Sequence, residues 1–313
     1  MTRPKIYIDG EAGTTGLEIR KRLERRGDIE IISIAAEKRK DPNERKKLLN
    51  ACDLAILCLP DDASREAVSL IENTSVRVLD ASTAHRTAVG WTYGFPEFLP
   101  DQTEKIRAAK RVSNPGCYPT GAIAMIRPLV DSGIIPASCG ITVTAISGYS
   151  GGGKELIALC EKNDASDRAA AYCLYGLDQH HKHLDEMRVH GGLTRDPIFL
   201  PSYSNAFYRG MLVTIALRLN DLNDTKTDAA TLHKILSSRY EGQHYVHVEP
   251  LQGKLEKGYV LTPLAQNNTN NLQLRVFSNE EKATVILTAC LDNLGKGASG
   301  AAVQNAEIML GLG

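Results

Sequence analysis

The first sixteen residues constrain the fold more than any other stretch. Ile6-Tyr-Ile-Asp9 has the β-branched and aromatic character of a strand and runs directly into Gly10-Glu-Ala-Gly13-Thr-Thr-Gly16, after which Thr15 to Arg26 has helical periodicity with charged and apolar faces. Strand, glycine turn and helix in that order open a βαβ unit. Glycines there let the backbone approach a pyrophosphate, while free amides and the positive helix end stabilise its charge. The spacing is GxxGxxG rather than GxGxxG, and an ordinary tight turn is the plainer alternative. Gly10, Gly13, Thr14, Thr15 and Gly16 are the candidate dinucleotide contacts.

The alternation continues. Strands are expected near Ile29 to Ala35, Leu54 to Leu59 and Val76 to Asp80, with helices at Pro42 to Leu49 and Ser64 to Ile71. This is half of a doubly wound domain or slightly more. From about Ala137 the pattern changes to longer alternating strands, Ile141 to Ile146, Leu212 to Leu219, Leu272 to Phe277 and Ala283 to Leu291, which fit a mixed or antiparallel sheet. Ala298 to Leu310 reads as a packed helix. A chain of 313 residues is longer than one core usually organises, so two domains are expected.

Lys+Arg and Asp+Glu both number 37, and this balance gives no reason to expect nucleic acid or an anionic membrane as partner. No signal peptide and no membrane-spanning run is read from the sequence. The seven cysteines, at 52, 58, 117, 139, 160, 173 and 290, are odd in number and contain no CxxC, which points to reduced thiols and a cytoplasmic setting. Cys58 and Cys290 lie in apolar runs and read as core residues.

Cys117 is different. In Ser113-Asn-Pro-Gly-Cys117-Tyr-Pro-Thr-Gly it precedes a segment of helical period, so it falls at or near a helix N-terminus. The dipole and amides there favour the thiolate and can hold an oxyanion. A buried structural cysteine is the alternative. The proton-transfer partner is sought in Gln179-His-His181-Lys-His183-Leu-Asp-Glu. These histidines have neither HxxxH nor HExxH spacing, so no metal is expected.

Two further stretches bear on ligands. Glu37-Lys38-Arg39-Lys40 follows the second strand, where Lys38 and Arg39 suit a ribose 2′-phosphate, although Glu37 can serve an NAD ribose. Gly148-Tyr-Ser-Gly-Gly-Gly-Lys154-Glu155 has P-loop spacing except that Glu155 replaces the magnesium-binding hydroxyl, which argues against a kinase or NTPase.

With these residues assembled, the chain resembles the short form of the N-acetyl-γ-glutamyl-phosphate reductases over nearly its whole length. The resemblance is carried by Ile8 to Gly16, Ser113 to Thr120, Ser147 to Lys154, His181 to Glu186 and Asp292 to Asn305. It implies an α/β protein, with a Rossmann-type doubly wound NADP-binding domain (residues 1–116 with 297–313) and a glyceraldehyde-phosphate-dehydrogenase-like α+β catalytic and dimerisation domain with a mixed sheet (117–296). It also implies NADPH as cofactor, N-acetyl-glutamyl 5-phosphate as substrate, the third step of arginine biosynthesis, and a homodimer or homotetramer. By motif, Cys117 becomes the nucleophile and His181 the acid/base, with His183 a rival for that role. Gly148 and Asn293 fall on the cofactor side, and Asn114, His183, Arg209 and Arg86 on the substrate side. Aspartate-semialdehyde dehydrogenase shares the chemistry and is the rival enzyme; a non-catalytic NADP sensor is the rival from another class.

Overall fold

The computed structural model describes residues 3–39, 41–162, 171–223, 227–252 and 261–312, and the chain divides into two compact units, Met1–Pro115 with Ala298–Gly313, and Gly116–Gly297.

In the first unit, β1 (Lys5–Asp9), β2 (Glu30–Ile32), β3 (Leu54–Leu57), β4 (Arg77–Asp80), β5 (Thr92–Tyr93) and β6 (Arg111–Ser113) form a parallel sheet of order β2-β1-β3-β4-β6-β5. Its helices are α1 (Thr14–Leu23), α2 (Pro42–Ala51), α3 (Asp61–Ser69), α4 (Gln102–Ala108) and a C-terminal helix, Gly300–Leu310. The second strand is shorter than the sequence pattern suggested, because the chain leaves the ladder after Ile32 and enters a 3₁₀ turn at Ala36–Lys38. The last helix also starts later than expected, after a π-type turn at Gly295–Ser299.

Side-chain alternation builds two apolar layers. Ile6, Ile8, Leu54 and Ile56 pack with Ile19 and Leu23 of α1 and with Ala302, Ala306 and Met309 of the last helix. On the opposite face, Tyr7, Ala55 and Leu57 pack with Leu49 and Ala67. A sheet covered on both sides must be apolar on both sides, so Leu54-Ala-Ile-Leu57 reads as an unbroken run. Cys58, just beyond it, is only partly buried against this core. Because β2 and β3 flank β1 on opposite sides, the crossover directions diverge there and a crevice opens at the carboxyl ends of β1 and β3.

The second unit contains α5 (Cys117–Asp131), β7 (Thr142–Gly148), α6 (Gly153–Lys162), β8 (Cys173–Leu174), α7 (Leu184–Gly191), β9 (Ile198–Ser204), β10 (Met211–Arg218), α8 (Ala229–Tyr240), β11 (Val246–Val248), β12 (Leu272–Asn279) and β13 (Thr284–Leu291). The strands form a mixed sheet of order β11-β12-β13-β10-β7-β9-β8 in which β7 pairs with β9, and β11 with β12, in parallel. Sequence alternation located β7, β10, β12 and β13 but missed β9, where Pro201 interrupts the pattern. Along β10, Met211, Val213, Ile215 and Leu217 are buried whereas Ala216 and Arg218 are exposed, so one face is covered and the other more open. Helix α5 lies on β10 and β13. Pro128 inside α5 cannot donate to the carbonyl one turn back, and the Tyr240 hydroxyl donates to that Ala124 oxygen instead, at 2.8 Å. Among the described residues no helix is long and apolar enough to cross a membrane.

Candidate active site

Cys117 is the first residue of α5, preceded by Gly116 in extended conformation, and no side chain caps the helix start. Pro119 is tolerated in this first turn because its missing N–H would have had no intrahelical partner. The Gly116 amide donates instead to Glu186 of α7, at 2.7 Å, and this carboxylate is buried. A Cβ on Gly297 would sit 2.9 Å from Cys117 Cβ and 3.2 Å from the Asp292 carbonyl oxygen, so only glycine lets this backbone lie against Cys117. Cys117 is half-buried. Among the core thiols, burial pushes Cys52 up to about 12 and Cys290 up to about 11.

His181 and His183 occupy the turn leading into α7. The His183 ring lies 5.8 Å from that of Tyr118, the residue after Cys117, and the His181 ring lies 5.7 Å from Tyr175 and 5.0 Å from Phe199. Tyr175 donates to the Tyr118 hydroxyl at 3.1 Å, and Tyr118 donates to the Ser202 carbonyl at 3.0 Å. Burial pushes the Tyr175 hydroxyl up to about 12, and the neighbouring Cys117 adds to the rise. The histidine turn thus shares one environment with Tyr118 and Tyr175, the two tyrosines next to Cys117 in sequence or in charge. Burial, reinforced by Lys182, lowers His181 to about 4, so this ring is neutral at neutral pH. Its Nδ1 accepts the His183 amide hydrogen at 3.2 Å, which leaves the ring hydrogen on Nε2.

Arg209 stands just before β10, and its Nη1 donates to Asn268 Oδ1 at 2.9 Å and to the fully buried Asp292 at 3.4 Å. Neither acidic nor amide partner was singled out from sequence. The Asn293 side chain accepts the Gly210 amide at 2.8 Å and donates to Ser150 Oγ at 2.9 Å, joining the ends of β7, β10 and β13 from a buried position. Gly148 presses on the Tyr208 carbonyl, and the P-loop-like stretch after it folds as a 3₁₀ turn, Tyr149–Gly152, before α6.

In the first unit the glycine loop forms the start of α1. Gly10 has φ +86°, and a Cβ there would lie 2.3 Å from the Cys58 carbonyl oxygen; one on Gly16 would lie 2.5 Å from the Gly10 oxygen. Gly13 caps α1 without a side-chain bond, so Thr14, Thr15 and Gly16 open the helix at the crevice. A cavity of about 350 Å³ adjoins the loop, bordered by Gly10, Glu11, Ala12, Arg39, Arg45 and Glu66. Arg39 lies at this cavity and reaches Glu11 at 3.5 Å, whereas Lys38 turns to Glu44 at 3.4 Å; Lys40 is outside the described residues. The sequence reading missed Glu11, which also accepts from Arg20 and Ser33, and the buried Arg45–Asp9 pair at 3.0 Å. A carboxylate closing an apolar strand, as Asp9 does, is the signal that was available. Burial outweighs Arg45 and lifts Asp9 above the usual carboxylate range. Arg86 donates to the Asn114 carbonyl at 3.0 Å, and Asn114 is buried, its side chain donating to the Ala298 carbonyl and accepting from Asn305.

A parallel unit with a glycine-lined crevice, joined in sequence to a mixed-sheet unit that sets a thiol at a helix start and a pair of histidines in the turn before another helix, is the arrangement of a two-unit dehydrogenase. Comparison with known proteins agrees. Residues 5–106 match the family model described as semialdehyde dehydrogenase, NAD binding domain, and residues 117–293 match that described as semialdehyde dehydrogenase, dimerisation domain. The N-acetyl-gamma-glutamyl-phosphate reductase 2 of a Nostoc species is 53% identical over 100% of this chain and 98% of its own length. The N-acetyl-gamma-glutamyl-phosphate reductases of Brucella ovis and Burkholderia cenocepacia are 50% and 48% identical, each over 99% of this chain and at least 98% of their own. The chain belongs to the semialdehyde dehydrogenase family and, within it, to the N-acetyl-gamma-glutamyl-phosphate reductases. In fold it is similar to aspartate semialdehyde dehydrogenase II of Vibrio cholerae (TM-score 0.74, 16% identity, 99% of both chains) and to aspartate semialdehyde dehydrogenase with NADP from Candida albicans (TM-score 0.67, 13% identity, 99% of both chains).

Proposed function

We infer that this chain reduces N-acetyl-glutamyl 5-phosphate to N-acetyl-glutamate 5-semialdehyde with release of phosphate, the third step of arginine biosynthesis, with NADPH as reductant. The observation that carries the reading is Cys117 at the start of α5, backed by Gly297, in a chain about half identical to reductases of that name over its full length.

The first unit fits a dinucleotide. Gly10 and Gly16 let the loop pack against the Cys58 and Gly10 carbonyl oxygens, which holds the turn in the tight form a pyrophosphate needs, and the adjoining cavity borders Arg39 and Arg45. Thr14 and Thr15 would contribute amides, while Arg39 and Lys38 would meet a 2′-phosphate. When bound, NADPH supplies the hydride that reduces the thioester.

The chain's own residues do the rest. Cys117 Sγ attacks the acyl-phosphate carbon as the thiolate, and the carbon–oxygen bond to phosphate breaks to leave a thioester on Cys117. Amides at the start of α5 and the Nε2–H of neutral His181 donate to the carbonyl oxygen as it gains charge. After reduction the tetrahedral oxyanion collapses, expelling the Cys117 thiolate and releasing the aldehyde. His183 supports the Nδ1 side of His181 through its amide. Arg209 holds an anionic group of the substrate, Asn114 and Arg86 shape the strand end before the nucleophile, and Gly148 and Asn293 shape the loops at the ends of β7 and β13. The open face of the mixed sheet is the surface for a homodimer or homotetramer, and the setting is the cytoplasm.

The test is the reverse reaction: N-acetyl-glutamate semialdehyde, phosphate and NADP⁺, followed by NADPH absorbance, beside Cys117→Ser. Activity lost in the variant supports both substrate and nucleophile. A wild type active only with aspartate semialdehyde overturns the substrate, and near-normal turnover by the variant overturns the mechanism.

A further inference from the structure

We propose that Asp292 and Asn268 are a positioning pair that aims Arg209 at the carboxylate of the substrate rather than at its phosphoryl group; this rests on the function inferred above. Asp292 is fully buried and accepts the Asn268 amide at 2.7 Å and the Leu294 amide at 2.9 Å, besides the Arg209 guanidinium. Asn268 has φ +64°, a left-handed conformation that turns its amide toward Asp292 while its own Oδ1 accepts from Arg209. Backbone in that region at a functional site is held by its surroundings, and Asn tolerates it better than most residues. Asn267 locks the other end of the arrangement by donating to the Arg209 carbonyl at 2.8 Å.

The same residue reaches the nucleophile. The Asp292 carbonyl accepts the Gly297 amide at 3.0 Å, and Gly297 is the glycine that lies against Cys117. Asp292 therefore fixes the relation between Arg209 and the reacting sulfur, its side chain holding one and its backbone the support of the other.

Charge selects the ligand. A guanidinium paired with a buried carboxylate has little net charge left, and a dianionic phosphoryl group brought against the pair meets Asp292 as well as Arg209. A planar monoanionic carboxylate matches the guanidinium fork at much lower repulsion.

Steady-state kinetics of the reverse reaction separate the two anions, because aldehyde and phosphate enter as different substrates. Asn268→Gly keeps the left-handed backbone and the amide to Asp292 while removing Oδ1; it should raise KM for N-acetyl-glutamate semialdehyde about tenfold, the loss expected for one hydrogen bond to a charged group, with KM for phosphate unchanged. Asp292→Asn should weaken the aldehyde further and tighten phosphate. A second readout needs no turnover: N-acetylglutamate should protect wild-type Cys117 from iodoacetamide, at a half-protecting concentration that rises in Asn268→Gly. Phosphate KM rising as much as aldehyde KM, or neither KM nor protection moving, overturns the proposal. If the wild type instead uses aspartate semialdehyde, the substrate reading fails, yet the same split of KM still tests the pair because that aldehyde also carries a carboxylate.

Discussion

The glycine loop and the thiol site solve opposite problems. Residues 10–16 form one contiguous turn whose fit depends on backbone atoms a few residues away and on the end of β3. The thiol site draws on the start of α5, the turn into α7, the start of β10 and the segment after β13, and is held together by bonds such as Gly116 to Glu186, His183 to His181 and Arg209 to Asp292. Damage to the loop is therefore steric and local, whereas damage to the thiol site can enter through any of its supports.

The largest effect tests the reacting atom. Cys117→Ser should lower kcat by about a thousandfold or more while nucleotide affinity, read by fluorescence titration, stays at the wild-type value. Gly16→Ala sharpens the comparison from the other side: its Cβ would sit 2.5 Å from the Gly10 oxygen, so overpacking by about 1–3 kcal/mol should cut NADPH affinity about tenfold or more. The rate of Cys117 alkylation should not change; if it falls in step with affinity, the two regions are not separable. Glu186→Ala leaves the Gly116 amide without its buried acceptor, and a loss of about 1–3 kcal/mol should appear as a slower Cys117 alkylation, restored by Glu186→Gln.

His181 provides a test by pH. Its pKa of about 4 in the folded protein lies below the unfolded value of 6.5, so the unfolded chain binds the proton first, and stability contributed by the neutral ring falls as pH drops through 6.5 toward 4. The acid limb of kcat/KM that reports this group should lie near 4, and a limb near 6.5 would show an exposed ring instead. The smallest effect belongs to the scaffold. Tyr240→Phe removes the hydroxyl that answers Pro128 and should cost about 1 kcal/mol, visible as a lower denaturation midpoint with kcat intact.

Sequence made the parallel half plain because its information is local: Leu54-Ala-Ile-Leu57 can be apolar throughout only if both faces are covered, and a strand followed by spaced glycines has few other uses. Cys117 was legible for a similar reason, the prolines and glycines around it marking a shaped helix start. What escaped was nonlocal. Asp292 and Glu186 fall in stretches marked by resemblance, but what each does shows only once Asn268 and Arg209 fold onto Asp292 and the Gly116 amide, seventy residues away, meets Glu186. Likewise β9 hides behind Pro201, which the ladder tolerates. Within the helix expected at Pro42 to Leu49, nothing local marks Arg45, which burial beside Asp9 puts at the crevice.

The helix Gly300–Leu310 belongs to the first unit although the whole second unit is encoded before it. Its Ala302, Ala306 and Met309 complete one apolar layer of the parallel sheet, and Arg77 and Arg26 bond to the Met309 carbonyl and to Glu307. On the ribosome, then, the glycine loop is made first and its supporting layer much later. That apolar layer is therefore complete only after translation has passed the whole mixed-sheet unit, so the parallel sheet waits for residues encoded beyond its own strands.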